Sequence, residues 1–425
     1  MNLRRRLVEA LALRLPFYYG WVILACVCAA GFSRTGSAVA TLSIFIDPMT
    51  REFGWSHTEI SAAVSAGGIL GALVAPATGA FLDRNGARAV LCLAVLGTGI
   101  PLLLLSFTQS LAFFFTLYCV ARMSFAGPYD LGIYGSIVNW FVRRRAFATS
   151  IATLSAMAGL VTMPLIAHFV MQASDWRSAW IAVGATVLLV GFVPTWVLHV
   201  RRPEDIGLRP DGERAPAAGE SAAPATEPAF TRAEALRTPA FWLLSLFTLL
   251  VYPVQAGISL HQAPFLIERG LDPTVAATAV STFALLSALA GFASGFWPRR
   301  VPLRYALALV GLVLAASSGL MNAVHAAPLA FGAAALFGLG IGGLLTLLPI
   351  AWADYFGRAS YGAIRGVALT VQVVAQASGP VLSGALRDWT GSYSASLATF
   401  AVLAFAGSAA ALFAAPPARR AVRAA

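Results

Sequence analysis

The sequence contains no lysine, and only 11% of its 425 residues are charged. A soluble domain carries about 25% charged residues, so a water-solvated globule is excluded. With 59% hydrophobic residues and a mean hydropathy of +0.77, the chain suits a bilayer. Cysteine is scarce, and all four (Cys26, Cys28, Cys92, Cys119) fall inside apolar runs. Cys26 and Cys28 stand two apart and diverge on a helix, so they read as small packing residues, with no disulfide and no metal. No HExxH, CxxC or GxSxG stands in a plausible context, which argues against an intramembrane enzyme and implies no cofactor. The glycine-rich stretch 338–343 is followed by no Lys-Ser/Thr, so it reads as close helix packing and not as a phosphate loop.

What is present is a series of apolar stretches of 20 or more residues, with none of the alternation of barrel strands. Twelve spans can be placed at 17–46, 58–82, 87–107, 111–141, 146–171, 178–199, 240–266, 274–298, 303–323, 328–353, 362–386 and 393–414. The fold class is therefore all-α, with twelve transmembrane helices. The run from Phe17 to Ile46 is too long for a cleaved signal peptide, so it reads as a retained first span. A net charge of +11 raises the question of nucleic acid, but the placement of the charges answers it. Of 29 arginines, 23 lie at the termini or in even-to-odd loops, four lie on the other side and two lie inside spans. That is the positive-inside asymmetry. It predicts no nucleic-acid partner, a multi-pass membrane protein and both termini in the cytoplasm; the all-arginine, alanine-rich composition points to a GC-rich bacterial genome, so the membrane expected is a bacterial inner membrane.

Between the sixth and seventh spans lies Arg201 to Thr238, rich in proline, alanine, glutamate and glycine. Its middle, Gly212 to Pro228, has the composition of a disordered linker. The expected domains are a six-helix half over 1–199, a linker over 200–238 and a second half over 239–425. The halves repeat. A shift of 216 sets Gly295, Arg300 and Arg304 on Gly79, Arg84 and Arg88. Shifts of 215 and 213 superpose Phe356 and Arg358 on Phe141 and Arg143, and Asp388-Trp389 on Asp175-Trp176. Parallel repeats of this kind belong to transporters with a mid-membrane site.

The turn between spans 2 and 3 reads G-A-F-L-D-R-N-G-A-R over Gly79 to Arg88. Its residues Gly79, Asp83, Arg84, Gly86 and Arg88 match the pattern of the loop between helices 2 and 3 of the major facilitator superfamily, which this chain resembles. The second copy carries Arg299 for the aspartate and Pro302 for the glycine, so the first copy is the expected latch. The resemblance implies two pseudo-symmetric six-helix halves working by alternating access. It also implies that Asp83 engages the start of helix 11 near Gly362, and an arginine among 143–145.

Charged residues deep in a span cost about 2.5–3.5 kcal/mol even on the lenient insertion scale, so each is a functional hypothesis. Arg34 stands mid-span in the first helix. It either grips a carboxylate through its planar fork or pairs with backbone carbonyls or Asp130. Arg122 and Asp130 lie inside the fourth helix, about 80° apart on a continuous helix, with Tyr129 on the Arg122 face. Asp130 either carries a coupling proton or sits in a static ion pair. His261, near the outer end of the seventh helix, is a pH-sensing candidate or an interfacial histidine. Gln255, Gln372 and Gln376 are substrate-facing or interhelical glue.

Further local stretches resemble the bacterial monocarboxylate-transporter-like and oxalate/formate-antiporter-like branch. They include Tyr19-Gly20-Trp21-Val22, Glu52-Phe53-Gly54-Trp55-Ser56, Trp140-Phe141, Arg202-Pro203-Glu204-Asp205-Ile206-Gly207-Leu208 and Asp354-Tyr355-Phe356-Gly357-Arg358. That branch carries an embedded basic residue in helix 8 or 11. Here helix 8 has no charge, helix 11 is read for its glutamines, and the charges are assigned to helices 1 and 4. The layout is similar to organic-anion:proton symporters, which implies that Arg34 holds the anion and that Arg122 with Asp130 handles the proton. The expected function is a monomeric secondary transporter of a small organic anion, a monocarboxylate, by proton symport. The alternatives are drug or metabolite efflux by proton antiport and a non-transporting sensor on the same fold.

Overall fold

A computed structural model of the chain describes residues 3–212, 228–297 and 300–417. Among these residues all regular structure is helical, and twelve helices are long and apolar enough to cross a membrane. They are the twelve spans the sequence predicts. Spans 1–6 run Gly20–Phe53, Glu59–Asn85, Ala87–Phe107, Leu111–Trp140, Arg145–Ala173 and Trp176–Leu198. Spans 7–12 run Pro239–Glu268, Pro273–Ser294, Leu303–Asn322, Ala327–Phe356, Tyr361–Thr390 and Ser394–Phe413. The middle of the expected linker, 213–227, and Arg299 of the second loop copy lie outside the described residues. Large apolar side chains such as Val161, Phe169 and Phe413 are 65%, 62% and 75% exposed. Spread over whole helix faces, these side chains suit lipid contact.

The chain forms two compact units, the first from Met1–Ala229 with Arg358–Thr370 and the second from Phe230–Gly357 with Val371–Ala425. In the first unit, short polar residues start the helices. Ser56 and Glu59 cap span 2 reciprocally, and the Asp175 carboxylate accepts from the Ser178 N–H at the head of span 6. That bond holds the Asp175 carboxyl below its ordinary range. Gly86, at φ 85°, turns span 2 into span 3 within one residue, a conformation that glycine reaches without strain. At the opposite end, Arg177 grips Glu52 with two bonds of 2.6 and 3.1 Å, and Trp176 Nε1 donates to the same carboxylate. The end of span 1 is thereby tied to the head of span 6.

Two of the spans are broken. Span 1 is α-helical over Gly20–Arg34 and again over Val39–Phe53, with a 3₁₀ turn at Thr35–Ser37 between them. Span 4 breaks at Gly127, between Leu111–Ala126 and Pro128–Trp140. The ring of Pro128 supplies no N–H to continue the ladder. This break lies between Arg122 and Asp130, so the angle of 80° expected from a continuous helix does not apply, nor does the shared face of Arg122 and Tyr129. Small residues hold span 2 close to span 4. A β-carbon on Gly67 would lie 2.5 Å from Arg122 Cβ, and one on Gly71 would lie 2.5 Å from Ala126 Cβ.

In the second unit, spans 8 and 10 pack through glycine. A β-carbon on Gly338 would come 2.5 Å from the Phe283 carbonyl oxygen, and one on Gly342 would overlap that of Ser287. The 338–343 stretch is thus helix packing. Overpacking costs about 1–3 kcal/mol, so Gly342→Val should lower the melting temperature of the purified protein. Gly332→Ala, whose β-carbon meets only Leu320 Cδ2 at 3.7 Å, should leave it unchanged. Fluorescence-monitored thermal unfolding in detergent reads both.

Candidate functional site

The two breaks bring two guanidinium groups onto one aromatic ring. Arg34, the last residue of the first helical half of span 1, lies 4.3 Å from the centroid of Phe125. Arg122 lies 4.1 Å from the same centroid. The interrupted turn of span 1 releases the Ser37 carbonyl, which accepts from Tyr118 Oη at 3.1 Å and from Arg122 Nη1 at 3.4 Å. Tyr118 and Tyr129 are fully buried. Neither Arg34 nor Arg122 forms an ion pair among the described residues, and the Nε of each is buried without a hydrogen-bond partner, as is the Tyr129 hydroxyl. Both within 4.3 Å of one centroid, the two charges lie no more than 8.4 Å apart, the sum of 4.3 and 4.1 Å, and at an effective dielectric of 20 they repel by ~2 kcal/mol or more. Phe125 offsets part of this through its ring face. What the arrangement can do chemically is hold an anion, with donors already desolvated and waiting.

Close to this cluster in the chain, Asp130 is committed elsewhere. It occupies the first turn of Pro128–Trp140, where a carboxylate is favoured by the helix dipole, and accepts from Arg365 Nη2 at 3.2 Å. The two side chains are 8% and 1% exposed. Arg365 belongs to the start of span 11, which the first unit holds by close contact. The Asp83 carboxylate accepts from the N–H groups of Gly362 and Ala363, both at 2.8 Å. Gly79 and Gly362 meet with no room for a β-carbon on either, and one on Gly366 would lie 2.6 Å from the Ala75 carbonyl oxygen. Thr370 Oγ1 donates to the Ala72 carbonyl at 2.8 Å. Span 2 therefore positions Arg365.

Arg365 corrects the sequence reading. An arginine one turn inside span 11 had the look of a loop anchor and counted among the 23, whereas it is buried and paired with Asp130. Helix 11 therefore carries an embedded charge, and the carboxylate assigned to Arg122 takes its bond from Arg365. The available signal was position: Arg365 lies inside the expected span 362–386. Phe125 was also missed, since an aromatic residue in a span ordinarily means packing.

The remaining candidates are dispersed. Arg84 is exposed, and Arg88 lies 4.6 Å over the Trp196 ring. The backbone N–H groups of Val142, Arg143 and Arg144 donate to Asp211 at 2.9, 2.5 and 3.1 Å. The Asp83 carboxylate takes the helix N–H groups of Gly362 and Ala363, while Arg201 Nη2 donates to the Asp83 carbonyl at 2.6 Å. In the second unit Gln376 Nε2 donates to Gln255 Oε1 at 3.1 Å, linking spans 11 and 7. Gln372 is buried, and the His261 ring lies 5.2 Å from that of Tyr393. All four cysteines are free thiols.

The model of the Major Facilitator Superfamily matches residues 23–267, more than half of the chain. The chain belongs to the Major Facilitator Superfamily, a family of secondary transporters and not of enzymes. It is 29% identical to the membrane sensor protein UhpC of Salmonella typhimurium, over 80% of this chain and 78% of that one. It is 26% identical to monocarboxylate transporter 11 of Mus musculus, over 92% and 86%. The solved structure of FucP in the outward conformation matches with a TM-score of 0.71 at 12% identity, covering 93% of this chain and all but 1% of that one. The human organic anion transporter MFSD10 matches with a TM-score of 0.70 at 16% identity, covering 94% of this chain and 100% of that one.

Removing one partner of a buried ion pair typically costs about 3–5 kcal/mol, because the other charge is left uncompensated. Asp130→Ala should therefore lower the melting temperature markedly. Adding Arg365→Met should restore much of the loss. Thermal unfolding of the two variants beside the wild type checks this, and a double variant no more stable than the single one would contradict it.

Proposed function

We propose that the protein is a proton-coupled symporter of a small organic monocarboxylate. The observation that carries this reading is the Arg34–Phe125–Arg122 cluster, two half-buried cations with buried Nε atoms and no ion-pair partner among the described residues. A substrate carboxylate would take bonds from the Arg34 fork and from Arg122, with the buried Tyr129 hydroxyl as a third donor. The likeness to a monocarboxylate transporter and to an organic anion transporter supports an anionic substrate. Asp130 is the proton carrier in this scheme. While ionised it holds Arg365, and on protonation it releases that guanidinium and unlocks the head of span 11. One proton per monoanion is electroneutral, so a pH gradient alone drives uptake; a second proton would add about 2.3 kcal/mol per 100 mV. Asp83 latches span 11 through its N-terminal N–H groups, a favourable contact of about 0.3–1 kcal/mol that the transport cycle can reverse. The arginine asymmetry supports an inner-membrane location with cytoplasmic termini, and the second unit's Gln255, Gln372, Gln376 and His261 are secondary candidates.

A second reading is favoured by the likeness to UhpC, whose name describes a sensor. A sensor would bind the same anion without turnover. Export of hydrophobic cations is disfavoured by a cationic site.

Proteoliposomes decide between them. With an inward pH gradient, radiolabelled lactate or pyruvate should accumulate in wild-type vesicles and not with Arg34→Gln. Asp130→Asn should abolish gradient-driven accumulation. Anion binding without uptake in the wild type would hand the protein to the sensor reading, and uptake unchanged by Arg34→Gln would remove the anion site from span 1.

A further inference from the structure

A second cationic site lies away from the Phe125 cluster, at the membrane face from which span 1 departs. A cavity of about 630 Å³ opens there between the N-terminal helix Leu3–Arg14, the turn into span 3, the end of span 6 and the segment that follows it. Its walls include Val8, Asn85, Arg88, Trp196, Arg201 and Ile206. The Arg88 guanidinium lies over Trp196 and makes no hydrogen bond or ion pair among the described residues, and its Nε is buried without a partner. Arg201 reaches in beside it. Its stem occupies the space a β-carbon on Gly86 would need, 2.5 Å from Arg201 Cγ, and its Nη2 holds the Asp83 carbonyl.

Two acids also line the cavity, but their carboxylates are engaged. Glu204 Oε1 takes the Arg358 Nη2 donor at 2.8 Å, and Asp205 Oδ2 takes the Arg202 N–H at 3.2 Å. With the charge of Glu204 met by Arg358, Arg88 and Arg201 together outweigh the single negative charge of Asp205, and the balance is positive. Span 3 begins at the same wall with no side chain capping its first N–H groups, and uncapped helix N-termini bind phosphate readily. Trp196 is 51% exposed and sits at a span end, where tryptophan marks the headgroup level.

We propose that this cavity binds the phosphate ester of an anionic phospholipid headgroup, gripped by Arg88 and Arg201 and flanked by Trp196. A free phosphate would answer to the same donors, but it would gain nothing from the exposed indole or from the apolar walls of Val8 and Ile206. The inference is independent of what the Phe125 cluster carries.

Native mass spectrometry of the full-length protein from nanodiscs of mixed phosphatidylethanolamine and phosphatidylglycerol tests this. The wild type should retain one phosphatidylglycerol in preference to the zwitterionic lipid. A basic residue at a membrane surface is worth ~1 kcal/mol, so Arg88→Gln should cut retention by about fivefold. Trp196→Ala should also reduce it and serves if Arg88→Gln does not fold, while Arg51→Gln, exposed at the other end of span 1, should not. No preference for the anionic lipid, or retention in Arg88→Gln and Trp196→Ala equal to that of the wild type, would overturn the proposal. So would inorganic phosphate stabilising the wild type, but not Arg88→Gln, in the absence of any retained lipid, since that would identify a soluble ligand.

Discussion

The structure of the first unit depends on keeping two positive charges inside a membrane without neutralising either one. Such placement costs several kilocalories per mole, and the fold spends its irregularities on meeting that cost. Span 1 breaks after Arg34 and offers the Ser37 carbonyl to Arg122 and Tyr118. Span 4 breaks at Gly127, so that Phe125 and Asp130 sit on different helical segments. Gly67 leaves the space in which Arg122 stands. Non-helical backbone at membrane depth is tolerated only where protein or a cavity covers it. Here it surrounds the charges.

Asp130 and Arg365 supply the contrast. This pair is nearly balanced in charge and fully packed, so it is a lock and not a receptor. Its guanidinium is delivered by the same helical turn whose N-terminus Asp83 caps. One acid holds the backbone of that turn and the other holds its side chain. In the proposed proton-coupled scheme, protonation of Asp130 loosens the second hold without touching the first.

Much of this was legible in the sequence because the membrane restricts what a chain can do. Twelve apolar runs and the Gly79–Arg88 turn specify the family fold, and Arg34 and Arg122 stand out as charges in apolar surroundings. The angular argument about Arg122, Tyr129 and Asp130 failed at Gly127-Pro128, where a glycine and a proline stop the helical phase. Arg365 was hidden by its position near a helix end, where an arginine ordinarily reaches the interface. Its burial follows from the close approach of Gly79 and Gly362, a contact 283 positions apart in the chain. Asp211 holding the N–H groups of 142–144 is another contact of that kind. No local pattern announces either.

The claim at the centre is that the Arg34–Phe125–Arg122 cluster is a carboxylate receptor. The most direct measurement is ligand-induced thermal stabilisation of the purified protein by lactate, set against its neutral amide. A ligand at about 100 times its dissociation constant stabilises the folded state by ~2.7 kcal/mol. The account predicts a rise in melting temperature with lactate, none with lactamide, and none with either in Arg34→Gln. Equal shifts from acid and amide, or a lactate shift that survives Arg34→Gln, would contradict it.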